Sequence, residues 1–63
     1  MYKCTMRDHL GFMKDDKLTT GEDNKVIDFI RRYGVNISVD ELENMSMFEI
    51  ITPDGLCLLV EFL

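Results

Sequence analysis

The length, composition and charge of the chain describe one small folded domain. It has 63 residues, of which 46% are hydrophobic and 30% are charged, and its net charge is −5. This balance is typical of a globular protein and excludes intrinsic disorder. The longest apolar run, residues 56–60, is too short to cross a bilayer, and no signal peptide is visible. We therefore expect a cytoplasmic protein with a single domain over residues 1–63.

The N-terminal segment predicts a strand and then a loop. The first seven residues alternate apolar and polar side chains, which is typical of a half-buried strand. Residues 8–19 show no clear period and are predicted as a loop, with a second short strand at residues 11–14 as the alternative. We expect Leu10, Phe12 and Met13 to pack against the rest of the domain.

Residues 20–33 predict an amphipathic helix. Four apolar residues recur at i, i+3, i+4 and i+7 and form one stripe: Val26, Phe29, Ile30 and Tyr33. Thr19 or Thr20 can cap the N-terminus through its hydroxyl. Gly34 can end the helix in the left-handed conformation.

The sequence SVDE at residues 38–41 is a capping box. It predicts a short second helix over residues 39–45. The residues of this helix that face the core are expected to be Val39, Leu42 and Met45. A strand over residues 35–39 is the alternative.

Residues 47–63 predict a β-hairpin. The sequence TPDG at residues 52–55 is typical of a type I turn with a bulge glycine. Pairing around it places Phe48 opposite Val60 and Ile50 opposite Leu58, on an apolar face that should be core. The other face is mixed and carries Glu49, Ile51, Cys57, Leu59, Glu61 and Leu63. We expect this outer face to be a contact surface, unless the first strand or the loop covers it.

Together these elements predict a small α+β domain with the order β-α-α-β-β. Its three-stranded, mostly antiparallel sheet has both helices on one face and the C-terminal hairpin at the end of the chain. The strand over residues 56–63 is expected in the middle, because its nearly continuous apolar run suits a strand with two neighbours.

No pattern in the chain predicts catalysis, a cofactor or a metal site. Cys4, Asp8 and His9 lie close together, but their spacing matches no ligand motif. Phosphate-binding and nucleophile motifs are absent. We interpret Cys4 and Cys57 as free thiols, since disulfides are rare in cytosolic proteins.

Charge is distributed unevenly and points to a protein partner. All seven basic residues lie within the first 32 positions. The rest of the chain contains six acidic residues and no basic residue. We interpret the chain as a non-enzymatic regulator or inhibitor that docks on a basic protein surface. The predicted contact residues are Asp40, Glu41, Glu43, Glu49, Ile51, Leu59 and Glu61.

Two other functions are carried as alternatives. The first is a homo-oligomeric structural subunit, such as a homodimer, that uses the outer face of the hairpin. The second is a nucleic-acid-binding regulator that uses Lys25, Arg31 and Arg32, which the acidic net charge disfavours. Short acidic chains of this kind are common among viral and mobile-element accessory proteins, an analogy of size and charge alone.

Overall fold

The order of the elements contains one strand more than the sequence predicted. A computed structural model describes all 63 residues, with two helices and four strands. The elements are β1 (Tyr2–Arg7), β2 (Leu18–Thr20), α1 (Asp23–Arg31), α2 (Val39–Glu43), β3 (Met47–Ile51) and β4 (Cys57–Phe62). The α+β class is confirmed, whereas the order β-α-α-β-β is wrong. Neither helix has the length and apolar character needed to cross a membrane.

All four strands form one antiparallel sheet in the order β2-β1-β4-β3. The predicted three-stranded sheet is therefore wrong, because β2 adds an edge strand beside β1. The predicted central position of the last strand is confirmed, since β4 lies between β1 and β3. The two central strands thus come from opposite ends of the sequence.

Strand β2 covers the last two residues of the predicted loop and the first residue of the predicted helix. Three residue pairs join it to β1: Tyr2 with Thr20, Lys3 with Thr19, and Cys4 with Leu18. The alternative strand at residues 11–14 is reduced to a single bridge between Arg7 and Met13. A strand of three residues is too short to show an alternating pattern, so its existence depends on pairing with β1.

The predicted C-terminal hairpin is confirmed in register and in turn. Phe48 pairs with Val60 and Ile50 pairs with Leu58. The Gly55 amide donates to the carbonyl of Thr52 at 2.9 Å, and Gly55 has a φ of +85°, as a bulge glycine requires. The buried hydroxyl of Thr52 accepts a hydrogen bond from the amide of Leu56, so this buried polar group has a partner within the turn.

The core lies between the helices and one face of the sheet, which we call the inner face. Ten hydrophobic residues form it: Tyr2, Cys4, Met6, Val26, Ile27, Phe29, Ile30, Leu42, Leu58 and Val60. The predicted stripe of α1 supplies three of them, while Tyr33 is half-buried at its end. Full burial of one such aliphatic side chain contributes roughly 1.5–3 kcal/mol.

Helix α1 begins three residues later and ends two residues earlier than the predicted range of 20–33. Gly34 has a φ of +84°, which is the left-handed conformation expected after the last turn. The N-cap is Glu22, whose side chain makes no capping hydrogen bond, so the predicted cap at Thr19 or Thr20 is wrong. Thr20 ends β2 instead, and its hydroxyl accepts from the amide of Glu22 at 3.1 Å.

Helix α2 begins at the predicted capping box and ends two residues early. The Ser38 hydroxyl accepts from the amide of Glu41 at 3.2 Å, so the helix is confirmed and the alternative strand is wrong. Only Leu42 is buried; Val39 and Met45, which were expected in the core, are exposed. One turn of helix can direct only one or two side chains toward the same neighbour.

Candidate protein-binding surfaces

The sheet face opposite the helices, here called the outer face, displays apolar side chains. Met47 and Ile51, at opposite ends of β3, are 64% and 68% exposed. Met1 and Leu63, which flank β1 and β4 at the same end of the sheet as Met47, are also exposed. The first strand does not cover this face, since β1 lies beside β4 in the same sheet. Antiparallel sheets with one solvated face usually carry polar residues there, so this face departs from the common pattern.

The charges of the outer face are separated by strand. Its bases, Lys3 and Arg7, stand on β1, whereas its acids, Glu61 and Glu49, stand on β4 and β3. Lys3 and Glu61 are direct cross-strand partners, an arrangement in which opposite charges are favourable. The face therefore has one basic and one acidic half.

A second surface is formed by acids on the helix side of the sheet. Asp40, Glu41 and Glu43 lie on α2, and Asp23 lies in the first turn of α1. We call these four residues the acidic cluster. A shared hydrogen bond with Asp23 raises the pKa of Glu43, and the negative charges of Asp23 and Asp40 raise it further. Two helices thus bring like charges together.

A shallow cleft of about 460 Å³ opens beside the acidic cluster. We call it the aromatic cleft; its lining residues are Tyr2, Glu43, Asn44, Met45, Ser46 and Phe62. The rings of Tyr2 and Phe62 meet edge to face with their centroids 5.1 Å apart. Burial, followed by a hydrogen bond with Asp23, raises the pKa of the Tyr2 hydroxyl, which therefore remains neutral. The cleft combines an aromatic floor with an acidic rim.

The structure divides the seven predicted contact residues between the acidic cluster and the outer face. Asp40, Glu41 and Glu43 belong to the acidic cluster on the helix side. The other four lie together on the outer face: Glu49, Ile51, Leu59 and Glu61. The sheet separates the two groups, so a single flat partner surface cannot contact both.

The residues missed by sequence reasoning are those that build the cleft. Tyr2 and Phe62 come from opposite ends of the sequence and meet only because β1 pairs with β4. The meeting of Asp23 with Glu43 depends on the packing of α1 beside α2. No local sequence pattern predicts the contact of Tyr2 with Phe62 or that of Asp23 with Glu43.

Comparison with known proteins gave no match to a family model, to a curated protein or to a solved structure. The two surfaces are therefore the basis for a functional proposal.

A third feature is the turn that follows β1. The Asp8 carboxylate accepts from the amides of Leu10 and Phe12, both at 2.9 Å, and Arg7 donates to the carbonyl of Gly11 at 3.0 Å. These bonds fix the turn, yet Leu10, Phe12 and Met13 are exposed. The expectation that these three residues pack on the domain is therefore wrong, and they do not cover the outer face.

The cysteines and the histidine are far from forming a reactive group. Both cysteines are free, as predicted, and burial raises the pKa of the Cys4 thiol to about 11. A buried thiol of this kind stays protonated at neutral pH and is a poor nucleophile. His9 is exposed in the turn after β1. No group of three or more metal-ligating side chains is present.

Proposed function

We propose that this protein is a non-enzymatic binding module that docks on a basic surface of another protein and thereby regulates or inhibits it. The contact region is the acidic cluster together with the aromatic cleft. We place this activity in the cytoplasm, where both free thiols would stay reduced.

The observation that carries the proposal is the meeting of Asp23 and Glu43 beside the cleft. A side-chain hydrogen bond with Asp23, together with the repulsion between the two negative charges, raises the pKa of Glu43. The cleft is lined by no basic residue that could offset this charge. A basic side chain supplied by a partner would relieve the repulsion, so the surface gains stability on binding.

The aromatic floor adds specificity for the same kind of side chain. A guanidinium or ammonium group over the exposed ring of Phe62 makes a cation–π contact, while its charge faces Glu43. Arginine is enriched at protein interfaces and is suited to both contacts. If the covered surface of the partner normally binds nucleic acid, docking would compete for the same basic residues and inhibit that binding.

Charge pairing on α1 favours this proposal over nucleic-acid binding. Lys25 pairs with Glu22 at 2.9 Å and Arg31 pairs with Asp28 at 3.7 Å. Arg32 pairs with an acid of the β1–β2 connection at 3.7 Å and lies over the ring of Phe29. Nucleic-acid binding depends on bases that neutralise phosphates and so release the counterions condensed on the nucleic acid, and each of these bases already has an acid beside it.

The test is affinity capture from the source cells at low salt, followed by binding kinetics with the captured partner. The variant Asp40→Lys with Glu43→Lys should slow association roughly tenfold and flatten its salt dependence, because charged rims act mainly on the association rate. The control is Asp15→Lys with Asp54→Lys, which changes the net charge equally at exposed loop positions outside the cluster.

The control should bind nearly as fast as the wild type. Capture of an acidic partner, binding that is indifferent to salt, or equal slowing by both double variants would show that the acidic cluster is not the contact site.

A further inference from the structure

The charges of the outer face are arranged so that the face can pair with a copy of itself. Across the sheet, Lys3 lies beside Glu61, Thr5 beside Leu59, and Arg7 beside Cys57. Bases therefore occupy the β1 side of the centre line between β1 and β4, and acids occupy the other side. A two-fold axis along this line exchanges the two sides.

A two-fold axis parallel to the strands places β1 of each copy over β4 of the other. Lys3 then faces the partner's Glu61, and the small side chain of Thr5 faces the partner's Leu59. At the edges, Met13 faces the partner's Ile51, which joins two exposed apolar residues. Opposite charges and apolar groups are thus matched in one arrangement.

A two-fold axis perpendicular to the strands gives the opposite result. It places β1 over the β1 of the partner, so that Lys3 approaches the partner's Arg7. Like charges brought together across an interface weaken it severely. The charge order therefore selects one of the two ways in which identical sheets can stack.

We infer that the outer face binds a second copy of this chain, with β1 of each copy over β4 of the other. The resulting dimer has two sheets at its centre, about 10 Å apart, with the helices outside. Its interface is self-complementary, as a two-fold interface requires.

The size of the face limits the strength of the dimer. The strands have three to six residues each. With a rise of about 3.3 Å per residue and about 4.8 Å between strands, they make a face of about 320 Å² per copy. The pair covers about 640 Å² of flat area, which lies below the range of stable interfaces and within that of weak, transient ones. We therefore expect reversible association with a dissociation constant in the micromolar range.

This inference is independent of the proposed function. The acidic cluster and the aromatic cleft lie on the helix side, which the dimer leaves exposed. Failure of the dimer would not affect capture of a basic partner, and loss of that partner would not affect the dimer.

The first test is sedimentation equilibrium of the wild-type chain from about 1 μM to about 1 mM, a range that spans micromolar association. The average mass should rise from one chain toward two. A mass of one chain throughout would overturn the inference, whatever the behaviour of any variant.

The second test uses complementation between two charge-reversal variants. Lys3→Glu makes the face acidic and Glu61→Lys makes it basic, so each variant alone should dimerise at least roughly tenfold more weakly. In an equimolar mixture, Glu at position 3 of one variant faces Lys at position 61 of the other, and the dimer should return. Labelling one variant with ¹⁵N identifies these mixed dimers by native mass spectrometry.

This design separates the interface from effects within one chain. Lys3 and Glu61 are also cross-strand neighbours in the same copy, but any damage to the fold is present in the mixture as well. The net charges become −7 and −3 from −5, so the two variants have no overall attraction. The control variant is Lys25→Glu on the helix side, which should dimerise like the wild type.

Two results would contradict the arrangement. The first is a mixture that dimerises no better than its components. The second is a dimer that is unaffected by either single variant, which would place self-association elsewhere, for example at the exposed edge of β3.

Discussion

Replacing Ile30 with Ala tests whether α1 is held by the packing of its apolar stripe. Ile30 lies on α1 and is fully buried in the core. The substitution removes three carbon atoms, which costs about 2–3 kcal/mol in transfer free energy, and the remaining cavity adds to this. We expect the free energy of unfolding to fall by about 3–4 kcal/mol. A domain of this length has roughly 3–9 kcal/mol in total, so a large fraction of the chains should unfold.

The matched control is Ile51→Ala, which removes the same atoms from a side chain that is 68% exposed. Its cost should stay below about 1 kcal/mol, as for most surface positions. Urea unfolding followed by circular dichroism measures both values, at a protein concentration low enough to keep the chain monomeric. Equal losses for the two variants, or a loss below about 1 kcal/mol for Ile30→Ala, would refute the assignment of Ile30 to the core.

Two further predictions concern the hairpin turn and the acidic cluster. Gly55→Val should lower the melting temperature, because a β-branched residue resists the φ of +85° at this position. The control Asp54→Asn should leave the melting temperature nearly unchanged. Equal melting temperatures for Gly55→Val and the wild type would contradict the assigned turn. Glu43→Gln should raise the melting temperature at pH 7, because Asp23 raises the pKa of Glu43 and so makes its ionised form unfavourable in the folded state. This gain should vanish as the pH falls below 4.5, the ordinary pKa of the group, where the wild-type carboxyl is protonated in both states; a gain that persists at pH 3 would have another cause.

The parts of the fold that the sequence predicted are those with local signals. The turn at residues 52–55 sets the register of β3 against β4, because a tight turn fixes which residues stand opposite. The stripe of α1 and the glycine after it are likewise complete within a dozen residues. In each case the structure-forming interactions lie close together in the sequence.

The parts that could not be predicted depend on contacts between distant residues. Leu18 and Thr19 form a strand only because β1 offers them hydrogen-bonding partners. The same holds for the candidate site: charge asymmetry is visible in the sequence, but the sheet that separates Glu43 from Glu49 is not. The aromatic cleft could not be predicted from the sequence either, since it requires Tyr2 and Phe62 to be neighbours.

The pairing of β1 with β4 has a consequence for how the chain folds. These two strands form the middle of the sheet, yet nearly the whole sequence lies between them. Closing so long a loop lowers the chain entropy before the contacts between β1 and β4 can stabilise the fold. Folding is therefore slower than for a helical domain of the same length. On the ribosome, the sheet stays incomplete until β4 has emerged. Nascent chains that stop before β4 therefore expose β1 with only the three-residue strand β2 as its partner, and protein quality control can recognise them as unfolded.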